Sequence, residues 1–407
     1  MSSPNCDRPE IIMQIRPPHT LVHGAGGLPS AELTPETVKG WIARCAELGV
    51  TAMFWYVNYV GKATYHSDIL PRMTPLTSRH FMERGIFPGN TAELFNSIAA
   101  ALERFDTLEV AMAAAKEHGI ALYADLGLFD MYFPGLENDF LEAHPEYWLR
   151  GRVGRRPTQM YGQIMPEPYQ RLAVEDDSRV PRQTWFRGLP CYAETAVQDY
   201  WLSIIRELMD RGVGNFVFNL MSHVQGGFGN TWRVIDGDEG ADAFGFNPPV
   251  VAEYQKRHGV DILSEAFEPA RLYELHGEFF TAFLRRIRQT IGPDRRFIAG
   301  TTADGQCGYG VDGVQFRMKL DWRQWIDQGI ADDLMVYDQG TEPTAVEDVR
   351  RQIKSRLSKG RVFCWRVITD PADFDAFRRE MDQACAAGLD GYGMKELARI
   401  VHARLER

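Results

Sequence analysis

The chain has 407 residues, of which 44% are apolar and 25% charged, and its formal net charge is −10. That is globular composition, and it excludes a disordered, collagen-like or disulfide-scaffold chain. The acidic balance argues against nucleic acid and against an anionic membrane as partners.

In chain order, apolar runs and helical runs alternate. IIMQIR (11–16) is a short strand-like run before Pro17. Thr34-Pro35 then marks a helix start, with threonine as the cap and proline in the first turn. That helix stops near Gly49, and VTAMFWYVN (50–58) follows, rich in aromatic and β-branched residues. A helix from about Thr91 to His118 stops at Gly119 and leads into IALYADLGL (120–128). A helix from Glu194 to Arg211 stops at Gly212 and leads into VGNFVFNLM (213–221). A helix from Pro269 to Ile291 stops at Gly292 and leads into RFIAGTT (296–302). Shorter units lead into DLMVYD (333–338), RVFCWRVI (361–368) and LDGYGMKEL (389–397).

Eight strands, each but the first preceded by a helix that ends near glycine, predict an α/β fold. The expected architecture is one elaborated (β/α)₈ TIM barrel over residues 1–407. An open dinucleotide-binding sheet lacks its fingerprint, since no G-x-G-x-x-G follows the first strand. A plain barrel needs about 250 residues. The surplus lies at 58–91, 128–193, 221–247 and 303–318, always after a strand end. These loops are expected to wall a pocket with Tyr59, Tyr65, Phe129, Tyr132, Trp185, Phe228 and Trp232; extra core packing or an oligomer interface is the alternative. The oligomeric state itself stays open.

The start, MSSPNCDRPEIIMQIRPP, lacks a basic region followed by an apolar one, and no run reaches the roughly 18 apolar residues of a spanning helix. Six cysteines (Cys6, Cys45, Cys191, Cys307, Cys364 and Cys385) show no metal-type spacing and read as thiols in a reducing compartment. A cytoplasmic protein is expected.

In a barrel, chemistry sits at the C-terminal ends of strands. Those positions hold Arg16, Trp55, Tyr56, Asn58, Asp125, Asn219, His223, Asp304, Asp338, Trp365, Arg366, Lys395 and Glu396. Paired carboxylates over a crevice are the minimum for glycoside hydrolysis, one as acid and one as base or nucleophile. Asp338, Asp125 and Glu396 are the candidate catalytic acids. Arg16, Asn58, Asn219, His223 and Arg366 are candidate hydroxyl binders, and Trp55, Tyr56 and Trp365 candidate stacking rings. Asp304 is a candidate binder in a turn-like Thr-Ala-Asp-Gly, where a structural turn is the competing reading. Asp332, Asp333 and Asp390 precede their strands and belong to the opposite, stabilising end. No HxH or HExxH spacing supports a metal, and no G-x-S-x-G supports a serine nucleophile. No cofactor is expected.

Two segments, AMAAAKEHGIALYADLGLFD with FLEAHPEYW and FGFNPPVVAEYQKRHGVDI, resemble the family-10-like glycosyl hydrolases of bacteria. So does YAETAVQDYWLSIIRELMDRGVGNFVFNLMSH, and the similarity extends over roughly residues 40 to 400. The resemblance implies a barrel that hydrolyses glycosidic bonds, with acids at the ends of strands four and six or four and seven. Asp338 matches the sixth strand. Asn219 stands where the fourth would carry an acid, and the seventh ends in Trp365-Arg366. The partner of Asp338 is then Asp125 or Glu396. The expected ligand is a small glycoside or oligosaccharide. A metal-assisted sugar lyase or isomerase and a non-catalytic carbohydrate-binding barrel are the alternatives.

Overall fold

The structure, a computed structural model, describes residues 10–15, 33–59, 61–75, 90–131, 138–152, 159–161, 185–186, 189–220, 232–234, 242–302, 304–309, 316–336, 353–357, 359–367 and 388–395, with the single positions 379, 382 and 386. Eight parallel strands close into a barrel. They are β1 (Glu10–Ile15), β2 (Ala52–Tyr56), β3 (Ala121–Gly127), β4 (Asn215–Asn219), β5 (Arg296–Thr301), β6 (Asp333–Val336), β7 (Arg361–Val367) and β8 (Gly391–Lys395). Each pairs with its neighbours in sequence order. β8 closes on β1 with Glu10 opposite Gly391 and Gln14 opposite Lys395. Every expected strand is present, trimmed by a few residues at the ends.

The helices follow from local chemistry. α1 (Pro35–Glu47) begins where the Thr34 hydroxyl accepts from the Thr37 amide at 3.2 Å. The expected helix from Thr91 to His118 is instead two, α2 (Asn90–Leu102) and α3 (Thr107–Glu117). Asp106 makes the break. Its carboxylate accepts from the amides of Leu108 and Glu109 at 2.9 and 3.3 Å, so it caps α3 rather than continuing α2. α4 (Thr195–Asp210), α5 (Pro248–His258), α6 (Pro269–Ile291) and α7 (Trp322–Asp327) follow along the chain. α6 buries Leu272, His276, Phe280, Phe283, Leu284, Ile287 and Ile291 at the three- and four-residue spacing of one helix face. Gly49, Gly119, Gly212 and Gly292 follow α1, α3, α4 and α6 with φ from +67° to +93°, a backbone that side-chain-bearing residues rarely adopt.

Strand alternation divides the core in two. Ile12, Ala52, Phe54, Tyr123, Val217, Ile298, Met335 and Phe363 fill the barrel interior. Fully burying such a side chain contributes about 1.5–3 kcal/mol. The larger cluster, with Met53, Trp55, Phe216 and Phe218, packs the outward strand faces against the helices. At the N-terminal end of the strands the interior turns ionic. Asp333, 1% exposed, accepts from Arg296 Nε at 2.7 Å and from Arg361 Nη2 at 3.2 Å, and Arg361 also binds Glu10. Asp332 accepts from the Phe297 amide at 2.8 Å, and Asp390 from the Val362 amide at 2.9 Å. All three aspartates lie at the stabilising end, as their positions before the strands imply.

The long insertions carry structure of their own. Asn58–Tyr59 pairs with Lys62–Ala63, and Gln306–Tyr309 with Phe316–Lys319. Gln159–Tyr161 pairs with both Trp185–Phe186 and Trp232–Val234, which joins the insertions after β3 and β4. Among the described residues, no helix is long and apolar enough to cross a membrane. Cys45, Cys191, Cys307 and Cys364 are buried.

Candidate active site

In β3 the residues Ala121, Tyr123, Asp125 and Gly127 alternate with outward-facing ones, so Asp125 enters the barrel one layer above Tyr123. Asp125 is fully buried. Its Oδ1 accepts from Asn219 Nδ2 at 2.5 Å, and its Oδ2 accepts from Gln14 Nε2. Three strands therefore meet on one carboxylate: β1 through Gln14, β3 through Asp125 and β4 through Asn219. A buried carboxylate without donors is costly. Two amide N–H groups aimed at its two oxygens suit the ionised, acceptor-only form. Gln14 is itself 1% exposed, and its Oε1 has no hydrogen-bond partner among the described residues.

Beside this cluster, β2 is tied to the turn after β3. Tyr56 Oη donates to Asp130 Oδ2 at 2.9 Å. Asn58 uses both ends of its amide on Gly127, accepting from its N–H at 2.9 Å and donating to its carbonyl at 3.1 Å. A Cβ on Gly127 would lie 2.3 Å from Tyr56 Oη, so glycine is required there. Tyr56 and Asn58, expected to contact ligand, are engaged in holding the strand ends in place.

Other expectations need correction. Trp55 faces away from Tyr56 and lies fully buried in the layer between strands and helices. It packs the outer core and cannot stack on a ligand in the barrel mouth. Asp304 is exposed and caps a turn: its Oδ1 accepts from Thr302 Oγ1 at 2.8 Å and from the Gln306 amide at 3.0 Å. It borders a rim cavity of about 410 Å³ shared with Tyr273, Arg317, Lys319 and Trp322, apart from the Asp125 cluster. Of the expected wall aromatics, Tyr59, Tyr65 and Phe129 are buried. Tyr65 donates to Glu207 of α4 at 2.7 Å, and Phe129 packs on Tyr309 at 4.9 Å between ring centroids. These three serve packing, the alternative weighed for them. Trp185 and Trp232 lie in the small antiparallel sheet.

Asp338, Glu396, Arg16, His223, Tyr132 and Phe228 lie outside the described residues, as do Cys6 and Cys385. Trp365 and Arg366 belong to β7, opposite Gly393 and Met394 of β8. Among the described residues, no three His, Cys, Asp or Glu side chains group to hold a metal.

One residue of the cluster is absent from the strand-end candidates: Gln14, whose only sign in the sequence is a polar position inside an apolar strand, two residues after the inward-facing Ile12.

No family model matches the chain, and no curated protein matches it. The family-10-like resemblance therefore has no family match behind it. Among solved structures, an α-glucosyl transfer enzyme aligns over 96% of this chain and 69% of its own, with 12% identity and a TM-score of 0.46. The catalytic domain of a β-amylase from Paenibacillus polymyxa aligns over 96% and 92%, with 11% identity and a TM-score of 0.44. A GH20 exo-β-N-acetylglucosaminidase from Vibrio harveyi, in complex with N-acetylglucosamine, aligns over 88% and 41%, with 10% identity and a TM-score of 0.41. The chain thus spans about two fifths of the length of that last enzyme. Likenesses this loose carry neither a substrate nor a residue's role to this chain.

Proposed function

We propose that the protein is a glycoside hydrolase acting on a small oligosaccharide or glycoside at the C-terminal mouth of its barrel. The observation that carries the reading is the Asp125 carboxylate, at the C-terminal end of β3 and held from two sides by Gln14 and Asn219. A carboxylate fixed by neutral donors keeps its charge without losing its geometry, which suits a base, a nucleophile or a stabiliser of a developing oxocarbenium ion. Asp338, two residues beyond β6, is the proposed general acid, and Glu396, one residue beyond β8, the alternative partner. Asn219 fills the place of a strand-four acid by serving Asp125 instead. His223, Arg16 and Arg366 are the proposed hydroxyl binders, and Trp365 the proposed stacking ring.

The test is a panel of nitrophenyl glycosides and unmodified disaccharides in both anomeric forms, with Asp125→Asn as the control. Turnover lost by roughly 10³-fold or more in Asp125→Asn supports the reading. Equal turnover in the two proteins removes Asp125 from the chemistry. Asn219 also favours a second reading, a barrel that binds carbohydrate without cleaving it. Glycoside binding with no turnover of any panel member selects that reading.

A further inference from the structure

Gln14 sits in β1, EIIMQI, on the same inward face as Ile12. Its carboxamide has a donor end and an acceptor end, and only the donor end is used within the described protein. The orientation is fixed by chemistry, because turning the amide over would set its oxygen against an oxygen of Asp125. A buried carbonyl with no donor is costly, because it has given up its water and gained nothing in return. Such groups are rare in folded proteins, and a donor from water or ligand is the usual reason one persists.

We propose that Gln14 is a two-ended residue of the site: its N–H positions Asp125, and its Oε1 accepts the hydrogen of a ligand hydroxyl. The hydroxyl half rests on the carbohydrate reading above. A hydroxyl is the fitting donor, since it gives one hydrogen and keeps two lone pairs for neighbouring donors. An ammonium would be drawn instead to the carboxylate, where the charge lies. Gln14 thus links the ligand to Asp125, so that one side chain senses occupancy and holds the acidic group in line.

Two isosteric variants separate the two ends. Gln14→Met removes both; Gln14→Glu keeps an acceptor and loses the N–H donor, and its own carboxyl donates only while it is protonated. The first readout is the titration of Asp125 in full-length protein labelled with ¹³C at the aspartate carboxyl carbons, its signal assigned through Asp125→Asn. Losing the N–H donor raises the Asp125 midpoint by about one pH unit in Gln14→Met, and by more in Gln14→Glu, where a like charge is added. An unchanged midpoint in both variants overturns the assignment whatever the enzyme's activity.

The second readout is calorimetric binding of the methyl glycosides of glucose, galactose, mannose and N-acetylglucosamine, with their monodeoxy analogues. The wild type is expected to lose about three- to tenfold in affinity for the analogue lacking one hydroxyl. That discrimination disappears in Gln14→Met and persists in Gln14→Glu. Equal discrimination in wild type and Gln14→Met overturns the hydroxyl contact, as does the absence of binding by every glycoside. Binding with the expected pattern but no cleavage of any glycoside leaves the Gln14 assignment standing and removes the hydrolase reading.

Discussion

Asn219 reaches from β4 to Asp125 of β3 and donates its Nδ2 proton to Oδ1 at 2.5 Å. Asp125 lies opposite Val217 and Gly127 opposite Asn219, so the bond runs diagonally across two neighbouring strands on the inward face. That contact explains why position 219 is an amide. An acid there would set two carboxylates against each other without a donor between them.

Asn219→Asp tests the point. Two carboxyls in contact cannot both ionise, so one is raised well above the ordinary carboxylate range of about 4. A raised carboxyl favours folding only while it is protonated. The variant's loss of stability is therefore small at about pH 4 and grows as pH rises toward about pH 8. Thermal melts of variant and wild type across that range are the measurement. A loss independent of pH would mean that the two groups do not meet.

Asp338 is the proposed proton donor to the leaving oxygen. Asp338→Asn should lower kcat by roughly 10²–10⁴-fold on a disaccharide, whose leaving group is poor. The loss should be smaller on a nitrophenyl glycoside, whose leaving group departs with less help. Equal losses on both substrates would move Asp338 from acid to nucleophile or hydroxyl acceptor.

At the other end of the barrel, Asp333→Ala leaves Arg296 and Arg361 facing each other without their shared acceptor. Breaking a buried ion pair costs roughly 3–5 kcal/mol. The two guanidinium side chains are 39% and 28% exposed, so solvent screening takes the loss toward the lower end. Melting temperature should fall clearly, while KM and kcat of the folded protein stay within about twofold, because the site lies at the opposite ends of the strands. A selective change in KM would place the ionic cluster in communication with the mouth.

His276 on α6 packs edge-on to Phe316 at 4.8 Å between ring centroids, and burial holds its pKa down to about 3 from an ordinary 6.5. The folded chain keeps this ring neutral while the unfolded chain protonates it. Its contribution is therefore intact above about pH 6.5 and is lost progressively as pH falls toward 3. His276→Met should flatten that acid limb. Parallel slopes for variant and wild type between about pH 7 and about pH 4 would show that the ring takes no part in it.

The sequence determined the barrel. Strand and helix each announce themselves locally, through periods of two and about 3.6 residues and through glycines that stop the helices. Eight such units leave little choice but closure, and β1 does meet β8. It also placed Asp332, Asp333 and Asp390 correctly, because end-of-strand position follows from chain direction alone. The break at Asp106 was harder to see, since the flanking segments are both good helix formers.

Tertiary structure decided which strand-end residues share a site. Trp55 and Tyr56 are adjacent in sequence, yet strand alternation sends one outward to the helices and the other inward. Asn58 and Asp304 have the chemistry of ligand contacts, but nearby backbone groups claim them first. Asp125 acquires its meaning from residues 111 and 94 positions away. Local periodicity carries no information across such distances. The stagger with which the strands close sets which inward residues share a layer, and that stagger comes from packing the whole interior at once.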